Sequence, residues 1–152
     1  LALFRRRHAA ERIVFTNGCF DLIHRGHVAL LARARDLGDC LIVGINSDDS
    51  ARRLKGPTRP LVSAEDRAYI LLELRSVDYV TIFDEDTPLE AIQRLEPDVL
   101  VKGAEYEQSE IVGADLVEAR GGCVERFAMV EDRSTSAIVE KIREELKSGE
   151  GA

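Results

Sequence analysis

The stretch IVFTNGCFDLIHRGHVALLARA, residues 13–34, changes its hydrophobic period halfway along. Ile13 to Phe15 is a continuous apolar run, and the spacing predicts a strand over 13–16. Val28, Leu30, Leu31, Ala34 and Leu37 recur at helical spacing, with Gly38 placed to close that helix as a C-terminal cap. Between the two lies a turn with Gly18, Gly26 and two of the three histidines, His24 and His27. A strand that feeds a helix through such a turn opens a βαβ unit.

The alternation continues to the end of the chain. Strands are expected at 40–45, 79–83, 99–101 and 123–129. Helices are expected at 46–54, from Ser63 to about 74, from Thr87 to about 95, at 111–120 and at 135–146. Ser63 with Asp66, and Thr87 with Glu90, resemble capping boxes, and Gly121 ends the helix before it. Strands alternating with helices pair in parallel through right-handed crossovers, and near-continuous apolar strands fit a sheet covered on both faces. The expected fold is α/β, a doubly wound, Rossmann-like parallel sheet of five strands. Ligands of such sheets bind beyond the carboxyl ends of the strands, where the strand order reverses.

Bulk properties narrow the function. A net charge of -7 argues against a broad nucleic-acid or anionic-membrane surface. Cys19, Cys40 and Cys123 are odd in number and lack CxxC spacing, which suggests a reducing, cytoplasmic setting without a disulfide framework. No apolar run approaches a membrane span. The chain begins at Leu1, as a trimmed chain or a piece of a longer protein would. Residues 1–12, with three consecutive arginines, read as a linker or the end of a helix, and 148–152 as a flexible tail.

The segments that follow the strands carry the candidate chemistry. Asn17 and Gly18 can turn the chain tightly and expose backbone N–H groups. His24 and His27 share one face at a helix entry, where Gly26 allows close approach, and a helix N-terminus with imidazole donors suits an anion. The other reading is a capping or core His24 with a surface His27; a metal pair lacks a third ligand at familiar spacing. The helices opened by Ser63 and Thr87 carry acids in their first turn, whereas those after His24 and at Thr135 do not. Arg133, Ser134, Thr135 and Ser136 therefore suit phosphate oxygens, or else form an ordinary cap beside a solvated arginine. Lys55, in a Gly/Pro loop near Arg52, Arg53 and Arg59, is a mobile cation or a surface lysine. Lys102 and Gly103 end a strand at the expected crevice. Gly44, Asn46 and Asp48 follow the second strand and can line a ribose or base pocket.

NGCFDLIHRGH (17–27) resembles the HxGH signature of the nucleotidyltransferase superfamily, which includes cytidylyltransferases and pantetheine-phosphate adenylyltransferase. GINSDDSARRLKGPTRP (44–60), DEDTPLEAI (84–92), PDVLVKG (97–103), EIVGADLVEARGG (110–122) and RSTS (133–136) are similar, in order, to the adenylyltransferase domain of bacterial ADP-heptose synthesis proteins. The resemblance implies a nucleotidyltransferase domain over 13–147. It implies attack of D-glycero-β-D-manno-heptose 1-phosphate on the α-phosphorus of ATP, with Mg²⁺ assisting, to give ADP-heptose and pyrophosphate for lipopolysaccharide assembly. By position, His24, His27, Lys55 and Arg133 would be catalytic. Asn17, Gly18, Cys19, Phe20, Gly26, Lys102, Gly103, Ser134 and Thr135 would hold the nucleotide, and Asp21, Asn46 and Arg67 the acceptor. No protein metal ligands are implied. The partners would be small molecules, with a homo-oligomer and a fused or separate sugar kinase both left open.

Two positions depart from the family pattern: Ala104-Glu105-Tyr106 stands where Gly-Asp-Trp is common, and Asp132 where glycine commonly precedes the arginine. A CTP-dependent transferase acting on a small phosphate such as glycerol 3-phosphate, and a nucleotide-binding module without catalysis, are the competing readings.

Overall fold

The computed structural model describes residues 1–128 and 135–149. Five strands, β1 (Ile13–Gly18), β2 (Cys40–Asn46), β3 (Tyr79–Phe83), β4 (Val99–Gly103) and β5 (Cys123–Phe127), form one sheet in the order β3-β2-β1-β4-β5. Every pairing is parallel. The expected doubly wound α/β sheet is therefore the observed one. Its strand order reverses at β1, whose neighbours are β2 on one side and β4 on the other.

Side chains alternate across a strand, so β1 feeds two cores. Val14 packs with Leu41, Val43 and Val101 beneath α2 (Arg25–Arg35) and α4 (Ala64–Leu72), which contribute Leu31 and Leu71. Ile13 and Phe15 pack on the opposite face with Ile42 and Leu100. There α5 (Leu89–Leu95) and α6 (Ala114–Ala119) supply Ile92, Leu95 and Val117. The remaining helices are α1 (Ala2–Arg7), α3 (Asp48–Lys55) and α7 (Thr135–Gly149), with a 3₁₀ turn at Gln108–Glu110. Residues 2–7 are helical, and Phe4 packs against the second core.

One device recurs at the amino ends of the strands. Asp39, Asp78 and Asp98 each directly precede a strand, and each carboxylate accepts a backbone N–H from the neighbouring strand or its approach. Asp39 takes Arg12 N–H at 2.7 Å, Asp78 takes Leu41 N–H at 2.8 Å, and Asp98 takes Ile13 N–H at 2.8 Å. Each bond satisfies a donor that the parallel ladder leaves over, and together they hold register from β3 through β2 and β1 to β4.

Local signals met mixed outcomes. Ser63 caps α4 as expected, its hydroxyl accepting the Asp66 N–H at 3.2 Å. Gly121, with φ +83, closes α6: its N–H reaches Glu118 O at 2.9 Å and the Gly122 N–H reaches Val117 O at 3.0 Å. Three expectations fail. The Thr87 box does not form: Pro88 occupies the cap position of α5 without a side-chain bond, and Glu90 pairs with Arg94 at 2.5 Å. Gly38 does not terminate α2, which ends at Arg35 with Asp36 as cap; a Cβ on Gly38 would lie 2.4 Å from the Arg12 carbonyl, so strand approach demands the glycine. The helix expected from 111 begins at Ala114, because Gly113 adopts φ +84.

Asp98 also receives Arg5 through Nη1 and Nη2, both at 3.2 Å. Asp98→Ala should lower stability by about 2 kcal/mol, the scale for a partly buried acceptor that leaves a donor unpaired. Urea unfolding of the two proteins measures this as a shift in midpoint at constant slope.

Candidate active site

The carboxyl end of β1 lies at the reversal point, between β2 and β4. The turn that leaves it, residues 18–24, crosses the crevice and enters α2. His24 is the cap of that helix: its backbone is extended, and its Nδ1 accepts the Gly26 N–H at 3.1 Å. A neutral ring that accepts at Nδ1 carries its proton on Nε2, so the cap also sets which nitrogen can donate to a ligand. The capping reading of His24 and the donor reading are thus compatible.

The His24 and His27 rings stack at 3.9 Å, inclined by 27°. Phe20 lies 5.0 Å from His27, centroid to centroid. The Nδ1 of His27 is buried and has no hydrogen-bond partner among the described residues; the same holds for Oδ1 of Asn17 at the end of β1. Burial lowers the pKa of His24. Burial, and secondarily the neighbouring His24, bring His27 down to about 4. Near neutral pH both imidazoles are uncharged donors rather than cations.

Three cavities share this turn. One of about 180 Å³ is bounded by Cys19, Phe20, Asp21, His27, Lys55 and Arg59, among others. One of about 160 Å³ runs from Asn17, Phe20 and His27 to Lys102, Gly103 and Tyr106. The largest, about 320 Å³, includes Asn17, Asn46, Lys55, Thr87, Lys102 and Tyr106. Lys102 is held with Nζ 3.4 Å from the Asn17 carbonyl and 5.6 Å from the Tyr106 ring centre. Burial lowers its pKa to about 8, against an opposing pull from Glu105.

The fold brings His24, His27, Lys55, Lys102, Gly103 and Asn17–Phe20 to one rim. Gly26 is buried beneath it. Other expected residues hold different positions. Lys55 is the last residue of α3 rather than part of a loop, and makes no ion pair among the described residues. Arg67 has no exposed surface: its guanidinium donates to Val62 O at 2.9 Å, Cys19 O at 2.6 Å and Asp48 Oδ1 at 2.8 Å. Buried with each nitrogen engaged, it has no surface to offer an acceptor, and it takes up one oxygen of Asp48. Asp21 is buried, its Oδ1 accepting Leu61 and Val62 N–H at 2.8 and 3.0 Å and its Oδ2 facing Arg59 Nε at 3.0 Å. It borders the cavity of about 180 Å³, and its carboxylate ties two loops together.

Asn46 donates to Ser50 Oγ at 2.9 Å and still lines the largest cavity. Gly44 lies inside the sheet, where a Cβ would meet the Phe15 ring at 2.7 Å, so it belongs to the core and not to a ribose pocket. Arg133 and Ser134 lie outside the described residues; Thr135 begins α7, and its side chain is outside them too. Arg59 and Tyr106, absent from the expected ligand-binding set, line the cavities; no local signal marks them, because loop position alone does not reveal which way a loop folds.

Residues 15–148 match the cytidylyltransferase-like family. The bifunctional protein HldE of Syntrophotalea carbinolica is 55% identical over 143 residues, 94% of this chain and 29% of that protein. HldE of Geobacter sulfurreducens is 57% identical over 132 residues, 87% and 27% of the two chains. The chain thus spans less than a third of the length of these curated relatives. Among solved structures, the lipopolysaccharide core biosynthesis protein of Thermoplasma volcanium superposes with a TM-score of 0.65 at 23% identity, over 81% of this chain and 99% of that one. A pantoate-β-alanine ligase from Francisella tularensis gives 0.61 at 16% identity, over 89% and 65%. These two likenesses bear on fold alone.

The depressed imidazole of His27 couples folding to pH. In the unfolded chain it titrates near 6.5, in the folded chain near 4, so between these values the unfolded state binds more protons and stability falls as pH falls. His27→Gln should flatten the decline over that window. Denaturation midpoints across it, for both proteins, test the linkage.

Proposed function

The chain belongs to the cytidylyltransferase-like family, and we propose that its site transfers AMP from ATP to D-glycero-β-D-manno-heptose 1-phosphate. An oxygen of the sugar phosphate bonds to the α-phosphorus, the bond from that phosphorus to the bridging oxygen breaks, and pyrophosphate departs with the electron pair. ADP-heptose is the product. The observation that carries this reading is the meeting of His27, stacked on His24, with Lys55 around one cavity at the strand-order reversal. The ordered similarity of residues 44–60, 84–92, 97–103 and 110–122 to ADP-heptose adenylyltransferases supports ATP and the heptose.

The attacking phosphate oxygen is already ionised near neutral pH, so the protein needs no strong base. It must hold two anions in line and stabilise charge growing on the α-phosphate and on the leaving group. Neutral N–H donors at His24 and His27 contact the transferring phosphate, and Lys55 supplies a positive charge from the end of α3. Asn17, Gly18, Cys19, Lys102 and Gly103 form the nucleotide wall. Arg133, Ser134 and Thr135 are assigned to the β- and γ-phosphates on the family pattern alone. Mg²⁺ bound with the nucleotide would offset phosphate charge.

A sugar kinase domain would account for part of the additional length of the bifunctional relatives and would supply the acceptor. Three free thiols suit a cytoplasmic setting, and no helix among the described residues is long and apolar enough to cross a membrane.

Incubation with each nucleoside triphosphate and heptose 1-phosphate, followed by mass analysis, should give ADP-heptose and pyrophosphate from ATP alone; CDP-sugar or no transfer refutes the assignment. His24→Ala and His27→Ala should each cut turnover on the order of a hundredfold, the scale for one lost transition-state donor. ATP affinity should fall as pH rises through about 8, where Lys102 sheds its proton. Isothermal titration at stepped pH would show that fall, and Lys102→Met should abolish it.

A further inference from the structure

We propose that Phe20 is a positioning residue: the fold holds it in a left-handed turn so that its buried ring fixes the imidazole of His27. This rests on reading His27 as the phosphate donor.

Phe20 has φ +49, a conformation in which a Cβ crowds the backbone and which favours glycine. Its side chain is nevertheless 5% exposed, so a bulky ring is kept where the backbone alone would prefer none. Three contacts hold it there. Arg67 Nη1 grips the carbonyl of Cys19, the preceding residue, at 2.6 Å. Asp21, the following residue, is bound to the Leu61 and Val62 amides and paired with Arg59. Gly18 leaves room for the ring, since a Cβ there would lie 3.2 Å from Phe20 Cε2. Strain retained under such outside restraint is a mark of a functional constraint.

The ring's neighbour identifies the constraint. Phe20 and His27 lie 5.0 Å apart, tilted by 53°, and both border the two smaller cavities. His27 is thus contacted by His24 and Phe20, while Asp21, Lys55 and Arg59 share its cavity. The phenyl ring excludes water from one part of the imidazole and limits its rotation, so its N–H addresses one point. Arg67 acts through Phe20, which explains why so costly a buried guanidinium serves a turn it does not belong to.

Phe20→Gly separates the ring from the turn, because glycine adopts the same φ without strain. In the full chain, the His27 titration midpoint read by NMR should rise by about one unit or more as water reaches the ring. With ATP and the sugar phosphate, kcat should fall on the order of tenfold to a hundredfold while each KM stays within about threefold. Phe20→Ala also removes the ring and carries the same test if the glycine variant does not fold. An unchanged His27 midpoint in a folded variant, or an unchanged kcat, overturns the proposal. The NMR titration needs no substrate, so a wild-type chain inactive with these substrates counts against the assigned reaction and not against the role of Phe20.

Discussion

The site depends on one buried cation. Arg67 has no contact with solvent, and its guanidinium reaches three separate parts of the chain: the turn after β1 through Cys19 O, the loop before α4 through Val62 O, and the start of α3 through Asp48. A desolvated charge is tolerated only when its donors are met, so these partners are required together. Once they are in place, the turn bearing His24 and His27 and the helix ending in Lys55 have little freedom to separate. Asp48 extends the tie by also accepting the Ala64 N–H at 2.8 Å, and Asp21 repeats it from the other side of Phe20.

Electrostatically, the site is less cationic than its role suggests. The protein carries a net charge of -7, and burial keeps both imidazoles neutral near pH 7. Attraction for an anionic ligand would therefore fall to a few groups at the rim, chiefly Lys55 and Lys102. The imidazoles contribute directed N–H donors, which need no counter-charge in the ligand-free state. A buried cation at each histidine would repel its neighbour 3.9 Å away. Neutral rings can stack, and the stack is what places two donors on one turn of helix.

Much of the fold was legible because its signals are local or periodic. The apolar runs of β1 and β2 alternate with helical spacing, and parallel pairing follows from that alternation. Ser63 and Gly121 marked helix ends because their bonding partners lie within a few residues. Gly38 misled because its cause is distant: the Arg12 carbonyl approaches it across the sheet. Thr87 misled because Pro88 took the cap position. At the site, His24, His27, Lys55 and Lys102 were recognisable from their places after strands and in the family pattern. Arg67 and Asp21 belonged to the same pattern, yet nothing local shows that their side chains are committed to buried bonds within the protein.

By itself the sequence determined that this chain forms a parallel α/β sheet with its candidate site residues after the carboxyl ends of the strands, since hydrophobic period and turn composition act within short stretches. Only the tertiary structure decided which charged groups are free and which are committed. It turned Arg67 and Asp21 inward, left Lys55 without an ion pair among the described residues at the end of α3, and pressed Phe20 against His27. Charge state and availability depend on desolvation and on partners tens of residues away, and those exist only once the chain has folded.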